Sequence, residues 1–175
     1  ARCSRVRELG RGATRGDDSR SASDCYSPPT MPQIVHALDI DAPLDRVWRV
    51  LTDSDQYAEW NPLIKGIKGK LARGSRVTCA FTAEGKTFQV PVEITQCDGQ
   101  KLVWVGPPQR FLHKLARGEH YFELVALEGG RTRIFHGERF TGLAFEIPWS
   151  KLEPIVNPAY KLFNDALKKR VESMN

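Results

Sequence analysis

Residues 157–174 read NPAYKLFNDALKKRVESM, and this stretch carries the strongest helical pattern in the chain. Its apolar side chains recur every three or four residues and therefore share one face of a helix; they are Tyr160, Phe163, Ala166, Leu167, Val171 and Met174. Asn157 followed by Pro158 is typical of a helix start. Because Pro154 and Pro158 would interrupt a straight helix, we expect either one kinked helix or a short helix followed by a long one.

The part of the chain that leads up to this helix begins with one strand and two short helices. Residues 33–40 alternate in polarity and predict the strand. The first helix opens at Asp41-Ala42-Pro43, and the second carries Tyr57 and Trp60. The second helix ends before Pro62, since the residue preceding a proline is disfavoured in the helical conformation.

A long β region separates the short helices from the terminal helix. Between residues 63 and 142, segments of alternating polarity are divided by glycine-containing turns, which indicates an antiparallel meander rather than β-α-β units. We therefore predict an α+β fold: a curved antiparallel sheet of about seven strands wrapped around a long C-terminal helix, with two short helices after the first strand.

This predicted architecture implies a cavity. The terminal helix is the only large partner available to the apolar face of the sheet. A single helix is about 10 Å across and too narrow to fill a wide curved sheet. The mismatch predicts a pocket between sheet and helix that a hydrophobic small molecule would occupy.

Composition and charge exclude several classes of function. The chain has 175 residues, 26 Lys or Arg against 21 Asp or Glu, and a net charge of +5. Its basic residues form no run and do not alternate with aromatic residues, so we expect no nucleic-acid partner. No stretch reaches the roughly 18–20 consecutive apolar residues of a membrane span, so we expect no stable membrane insertion.

The cysteines argue against a metal centre. Cys3, Cys25, Cys79 and Cys97 form no C-x-x-C pair and do not cluster with the four histidines. We therefore predict no metal site, no cofactor and a reducing, cytoplasmic location. We expect a monomer or weak dimer.

Residues 1–30 differ from the rest of the chain. They hold six Arg and no Lys, are rich in Gly and Ser, and show neither helical nor strand periodicity. We expect a disordered extension here, because the segment lacks the apolar side chains to offset chain entropy. The acidic residues within it argue against a targeting peptide. The domain is predicted to span residues 31–175.

Three groups of residues, in order along the chain, carry a family resemblance. The first comprises Ile40-Asp41-Ala42-Pro43, Val47-Trp48, Leu51-Thr52-Asp53 and Tyr57-x-x-Trp60-Asn61-Pro62. The others are Gly118-Glu119-His120-x-Phe122-x-Leu124 with Gly130-x-Thr132-x-Ile134-x-His136-x-Glu138-x-Phe140-x-Gly142, and Phe163-Asn164-x-Ala166-Leu167-Lys168-x-x-Val171-Glu172. With these residues the chain resembles the START-like, or SRPBCC, superfamily over residues 31–175.

The resemblance implies the helix-grip fold and a deep apolar cavity under the long helix. It is nearest to the small single-domain proteins described as polyketide-cyclase/dehydrase-like. Relatives in the superfamily include lipid-transfer domains, plant hormone and allergen-type binders, coenzyme Q-binding proteins, aromatase/cyclases and co-chaperones. A shared cavity does not imply a shared reaction.

Three polar residues stand out on the last two predicted strands. His120, His136 and Glu138 share the phase of Phe122 and Phe140, so they are expected to face the apolar interior. They are the candidate catalytic residues, because a histidine and a desolvated carboxyl can move a proton or orient a polar ligand group. The alternative is a structural hydrogen-bond network across adjacent strands.

The remaining candidates for ligand binding are mainly aromatic. Trp60 and Asn61 are placed at the mouth of the pocket, with a core position and a turn-fixing role as the alternatives. Phe145 and Trp149 precede the long helix and suggest a gate, or ordinary packing. The predicted lining of the cavity also includes Phe122, Phe140, Tyr160, Phe163 and Leu167.

Two hypotheses of function follow. The first is binding of a lipid, sterol, quinone or aromatic polyketide-like molecule. The second is an aromatase/cyclase-type enzyme that uses general acid–base residues in the same cavity. A third, an interaction domain like the co-chaperone relatives, would need an exposed patch that the sequence does not show.

Overall fold

The computed structural model of the protein describes residues 32–83, 85–146 and 149–174. The extension predicted over residues 1–30 lies outside the described residues. The described residues form seven strands: β1 (Gln33–Ile40), β2 (Ile64–Lys68), β3 (Arg76–Ala83), β4 (Lys86–Cys97), β5 (Lys101–Gly106), β6 (Arg117–Leu127) and β7 (Arg131–Thr141). The same residues form four α-helices: α1 (Leu44–Thr52), α2 (Tyr57–Trp60), α3 (Leu143–Glu146) and α4 (Trp149–Glu172).

The strands form one antiparallel sheet in the order β1-β7-β6-β5-β4-β3-β2. The meander from β2 to β7 places each strand beside the next in sequence, and β1 then pairs with β7 over the full strand. The predicted α+β helix-grip architecture, with about seven strands and two short helices after the first, is confirmed.

Helix α4 is continuous through both of its prolines, from Trp149 to Glu172. Of the two alternatives for this region, the single helix is therefore correct. Its buried face carries Tyr160, Phe163, Leu167 and Val171. Met174 lies beyond the end of the helix and is 43% exposed, so it does not belong to that face.

Side chains hold α4 along one edge of the sheet. Asn157 bonds to His36 on β1 (Oδ1 to Nε2, 2.7 Å), and the Lys168 ammonium donates to the backbone carbonyl of Asp39 (2.6 Å). The backbone N–H of Asp41 donates to the carboxylate of Glu172. The helix packs on β1, β7 and the two short helices. The trough formed by the middle strands is therefore only partly covered.

Within the part of the chain that the structure describes, no helix is both long and apolar enough to cross a bilayer.

Candidate functional site

A cavity of about 600 Å³ lies between the sheet and the first half of α4. Its walls come from the start of β2, the end of β3, β7, α3 and α4. Among the residues that the structure describes, three of the lining side chains are polar: Thr82, Glu138 and Tyr160. The other described lining residues are Pro, Leu, Phe, Ile, Val or Ala. A site of this character is suited to an apolar molecule that carries few polar groups.

The mouth of this cavity is apolar as well. Ile155 and Leu162 line it from α4 and are 61% and 59% exposed. Prolines contribute to both walls, Pro158 on the helix and Pro62 at the start of β2. Large apolar side chains left in contact with water on a helix that otherwise packs well point to a surface that a ligand covers.

A second cavity of about 280 Å³ adjoins the first and shares four lining residues with it: Phe81, Glu138, Phe140 and Phe145. Its other walls come from the middle strands β4, β5 and β6 and from the loop between β5 and β6. This second cavity lies in the part of the trough that α4 does not cover.

Five side chains form a continuous hydrogen-bonded chain behind the cavity, which we name the buried relay. Asn164 Oδ1 lies 2.7 Å from His136 Nδ1, and His136 Nε2 lies 2.9 Å from His120 Nε2. His120 Nδ1 lies 3.0 Å from the Tyr160 hydroxyl, which also bonds to Glu138 Oε2. Only Tyr160 and Glu138, at one end of the relay, line the cavity.

Burial sets the protonation of the inner members of the relay. Desolvation, with His120 as a second cause, holds the pKa of His136 well below its usual range, so this imidazole is neutral at neutral pH. Desolvation, reinforced by the neighbouring carboxyl of Glu138, raises the pKa of Tyr160 well above its usual range, so its hydroxyl keeps its proton. The relay therefore ends at the cavity in a carboxyl group that is hydrogen-bonded to a protonated phenol.

The structure brings four of the predicted ligand-binding residues to the cavity wall: Glu138, Phe140, Phe145 and Tyr160. The two histidines belong to the buried relay, 1% and 0% exposed, and reach the cavity only through Tyr160 and Glu138. The predicted lining residues Phe122, Phe163 and Leu167 pack in the core with no exposure and are not among those that line the cavity. Trp149 packs against Phe140, with 5.1 Å between ring centroids.

Trp60 and Asn61 occupy a buried corner beside the cavity rather than its wall. Asn61 Oδ1 accepts hydrogen bonds from the backbone N–H groups of Leu63 (2.9 Å) and Ile64 (2.8 Å), so this side chain fixes the turn into β2. Trp60 packs edge-on against Tyr57 and Phe163. The indole N–H of Trp60 and the amide nitrogen of Asn61 are buried and have no partner among the described residues.

Sequence reasoning did not assign Asn164 or the first half of α4 to the site. Asn164 follows Tyr160 by four residues, so the two share the buried face of the helix. A polar residue in an apolar stripe was the available signal. Leu152, Ile155 and Val156 line the cavity because α4 begins at Trp149, earlier than the apolar stripe indicated.

Among the described residues there is no cluster of three side chains able to hold a metal ion. Cys79 is buried, and desolvation raises its pKa to about 12, which keeps the thiol protonated and unreactive.

Comparison with known proteins places the chain among related sequences and structures. The model of one family, described as polyketide cyclase/dehydrase and lipid transport, matches residues 31–172. No curated protein matches the sequence. Several solved structures share the fold.

Three of these structures illustrate the likeness. A START superfamily protein from Mycobacterium smegmatis is 16% identical, with 82% of this chain and 99% of that chain covered and a TM-score of 0.65. The Zhui aromatase/cyclase from Streptomyces sp. R1128 is 17% identical over 82% of this chain and 94% of its own, with a TM-score of 0.63. A protein from Thermus thermophilus is 17% identical over 81% and 98%, also with a TM-score of 0.63. At these identities the likeness shows the fold alone.

Proposed function

Because this chain belongs to the polyketide cyclase/dehydrase and lipid transport family, we propose that it binds a hydrophobic small molecule in the cavity between the sheet and α4. Candidate ligands are a lipid, a sterol, a quinone or an aromatic polyketide-like molecule. The observation that carries the proposal is the apolar lining of the 600 Å³ cavity, in which Thr82, Glu138 and Tyr160 are the polar side chains among the described residues.

The size and character of the cavity support a ligand of this class. Small-molecule sites typically enclose about 300–1,000 Å³ and combine apolar walls with a few polar groups. Each square ångström of apolar surface removed from water contributes about 25 cal/mol. An apolar guest therefore gains most of its affinity from the walls, while Glu138 and Tyr160 orient it.

Native mass spectrometry of gently purified protein tests the proposal directly. We expect a bound hydrophobic molecule, or uptake of one when fatty acids, sterols, quinones or aromatic polyketides are offered. Protein that is purified empty and takes up none of these would contradict the proposal.

A cavity-filling variant locates the binding. Ala159 lines the cavity from α4, and Ala159→Phe places a ring inside it. Lys169→Phe adds the same ring at an exposed position of the same helix. We expect Ala159→Phe to weaken uptake at least about tenfold, equivalent to about 1.4 kcal/mol, and Lys169→Phe to leave it unchanged. Equal uptake by both variants would place the ligand elsewhere.

The second candidate function is an aromatase/cyclase-type enzyme, and the buried relay favours it. Glu138 is the group that can touch a substrate, whereas His120 and His136 act through Tyr160 as positioning residues. A carboxyl that exchanges protons with a relay can serve as a general acid or base while the cavity folds a reactive chain.

Tyr160→Phe tests this second candidate, since it removes one hydroxyl and changes the volume little. An acyclic poly-β-ketone is the probe, and ring formation is followed by mass spectrometry as loss of water. We expect the wild type to accelerate cyclisation and the variant to lose most of that acceleration and to change its pH profile, while it still binds the probe. Equal rates with and without protein would exclude this function.

Two accompanying predictions are part of this proposal: the protein is a monomer or weak dimer, and it is cytoplasmic. Size-exclusion chromatography over a range of concentrations tests the first, and fractionation of cells tests the second.

A further inference from the structure

The two cavities meet at Glu138. Four of the described residues line both of them: Phe81, Phe140 and Phe145 are apolar, and among these four Glu138 alone has a side chain that can form hydrogen bonds. The first cavity extends from this boundary toward α4, and the second extends toward the middle strands. The middle of a molecule that fills both cavities, rather than one of its ends, therefore lies beside Glu138.

The second cavity is apolar apart from its boundary and one arginine. Its walls include Val90, Val92 and Trp104. Arg117 also contributes to the lining, and its guanidinium is already paired with Glu119. Both ends of the combined space therefore favour apolar parts of a ligand.

The carboxyl of Glu138 has one engaged oxygen and one free oxygen. Oε2 bonds to the Tyr160 hydroxyl, while Oε1 has no hydrogen-bond partner among the described residues. Oε1 lies against Gly118, where the Cβ of any other residue would collide with it. Glycine at this position keeps the carboxyl in place and leaves Oε1 for a ligand.

The hydrogen bonds of the buried relay determine what Oε1 can do. Asn164 presents its oxygen to His136 Nδ1, so that nitrogen carries the proton and His136 Nε2 accepts from His120 Nε2. The Tyr160 hydroxyl lies between His120 Nδ1 and Oε2 of Glu138 and completes the relay.

A rotation of the Asn164 side-chain amide by half a turn exchanges its oxygen and nitrogen, and this reverses donor and acceptor in the hydrogen bonds along the relay. Its nitrogen then donates to His136 Nδ1, His136 Nε2 donates to His120 Nε2, and His120 Nδ1 donates to the Tyr160 oxygen. Tyr160 then donates to Oε2 of Glu138, the direction in which the structure pairs the two groups. In both arrangements the relay uses only Oε2 of this carboxyl, so Oε1 remains as the oxygen that can accept a hydrogen bond from a ligand.

We propose that the two cavities form one site for an elongated, largely apolar molecule with a hydroxyl group near its middle, which donates a hydrogen bond to Oε1 of Glu138. This inference rests on the proposed function and adds to it the position and the polarity of the ligand's polar group. A ketone or an ether at the same position would face Oε1 with an acceptor and leave both oxygens unpaired.

Displacement of the fluorescent probe N-phenyl-1-naphthylamine by three chains of equal length tests the inference. These are 7-tetradecanol, 7-tetradecanone and 1-tetradecanol. We expect 7-tetradecanol to displace the probe at a concentration about tenfold lower than either of the others, the effect of one hydrogen bond to a buried acceptor. Equal displacement by all three, or a preference for the ketone or the terminal alcohol, would overturn the inference and leave the proposed function standing. If neither the probe nor any of the three chains binds, both the inference and the proposed function are contradicted.

Glu138→Leu identifies the acceptor. The Tyr160 hydroxyl can still donate to His120 in this variant, so the relay loses one member without leaving a donor unpaired. We expect the preference for 7-tetradecanol over the ketone to disappear. Thr82→Val, which removes another polar group from the first cavity, should keep that preference. A preference that survives in Glu138→Leu would contradict the assignment.

Val90→Phe tests the second cavity, because Val90 lines it and does not line the first. We expect weaker displacement by 7-tetradecanol and unchanged displacement by the shorter 1-heptanol. Ala116→Leu narrows the same cavity from the loop between β5 and β6, and it replaces Val90→Phe in this test if that variant does not fold. Unchanged affinity for 7-tetradecanol in a folded variant would show that the ligand does not enter the second cavity.

Discussion

At the scale of single residues, buried polar side chains stabilise the fold of this protein. Asn61 is 1% exposed and holds the turn into β2 through two backbone N–H groups. His136 is fully buried and holds α4 to β7 through Asn164. In both cases an apolar substitute would leave partners unsatisfied in a medium where water cannot replace the lost bond.

Asn61→Ala is expected to destabilise the protein by about 2–3 kcal/mol, because the N–H groups of Leu63 and Ile64 lose their acceptor. Urea denaturation measures the loss. Gln100→Ala, which shortens an exposed side chain, should change stability by less than about 0.5 kcal/mol. An unchanged free energy of unfolding in Asn61→Ala would show that water reaches this turn and replaces the lost acceptor.

His136 is expected to make stability fall as the pH drops below about 6.5, where the unfolded chain takes up a proton at this residue. The folded protein does not take up that proton, because burial, His120 and His36 depress the pKa of His136. The decrease in the free energy of unfolding from this residue is at most about 1.4 kcal/mol per pH unit.

Urea denaturation at about pH 7 and about pH 5 measures this dependence. The difference between the free energies of unfolding at these two pH values should shrink in His136→Gln. It should persist in His113→Gln, which removes a histidine from the loop before β6. An unchanged difference in His136→Gln would contradict the assignment of the pH dependence to this residue.

At the scale of elements, α4 combines two conflicting demands. Its C-terminal half packs Phe163, Leu167 and Val171 into the core. Its N-terminal half carries Pro154 and Pro158 and lines the cavity with exposed apolar side chains. The prolines remove backbone donors from the half that faces the cavity, so the local stability of α4 is lower beside the proposed binding site.

Pro158→Ala should stabilise the protein by about 1–3 kcal/mol, since it restores a backbone N–H to the interior of α4. Thermal and urea denaturation measure the gain. Lys169→Ala, at an exposed position of the same helix, should stay within about 0.5 kcal/mol of the wild type. If Pro158→Ala is less stable than the wild type, the packing of the proline ring against the cavity wall contributes more to stability than the restored backbone hydrogen bond.

At the scale of the whole molecule, β1 joins the N-terminal end of the domain to its last strand. β1 pairs with β7 along its whole length, and α4 is bonded to β1 at Asn157 and Lys168. One side of the trough is thus closed by these hydrogen bonds, whereas the part that faces the two cavities is only partly covered. The proposed ligand would complete the packing there.

Saturation with N-phenyl-1-naphthylamine is therefore expected to raise the melting temperature. At a free concentration about 100 times Kd, binding to the folded state alone adds about 2.7 kcal/mol to the free energy of unfolding. Differential scanning calorimetry measures the shift. Ala159→Phe should show a much smaller shift than Lys169→Phe, and equal shifts in the two variants would place the probe outside the cavity.

The order of elements was determined by the sequence alone, because polarity patterns and turn residues are local properties. The alternation between residues 63 and 142 predicted the meander, and the stripe from Tyr160 to Val171 predicted the buried face of α4. The inward direction of His120, His136 and Glu138 followed from the same alternation.

Only the tertiary structure decided which of these inward side chains line the cavity. The position of α4 over β1 and β7 buries Phe122, Phe163 and Leu167 in the core, and its N-terminal half makes a wall of Ile155 and Leu162. Alternation specifies a face of the sheet, whereas contact with a cavity depends on where the helix lies above that face. The relay likewise required Asn164 and Tyr160 to meet residues of β6 and β7 that are distant in the chain. Such a meeting is set by packing and has no local signature.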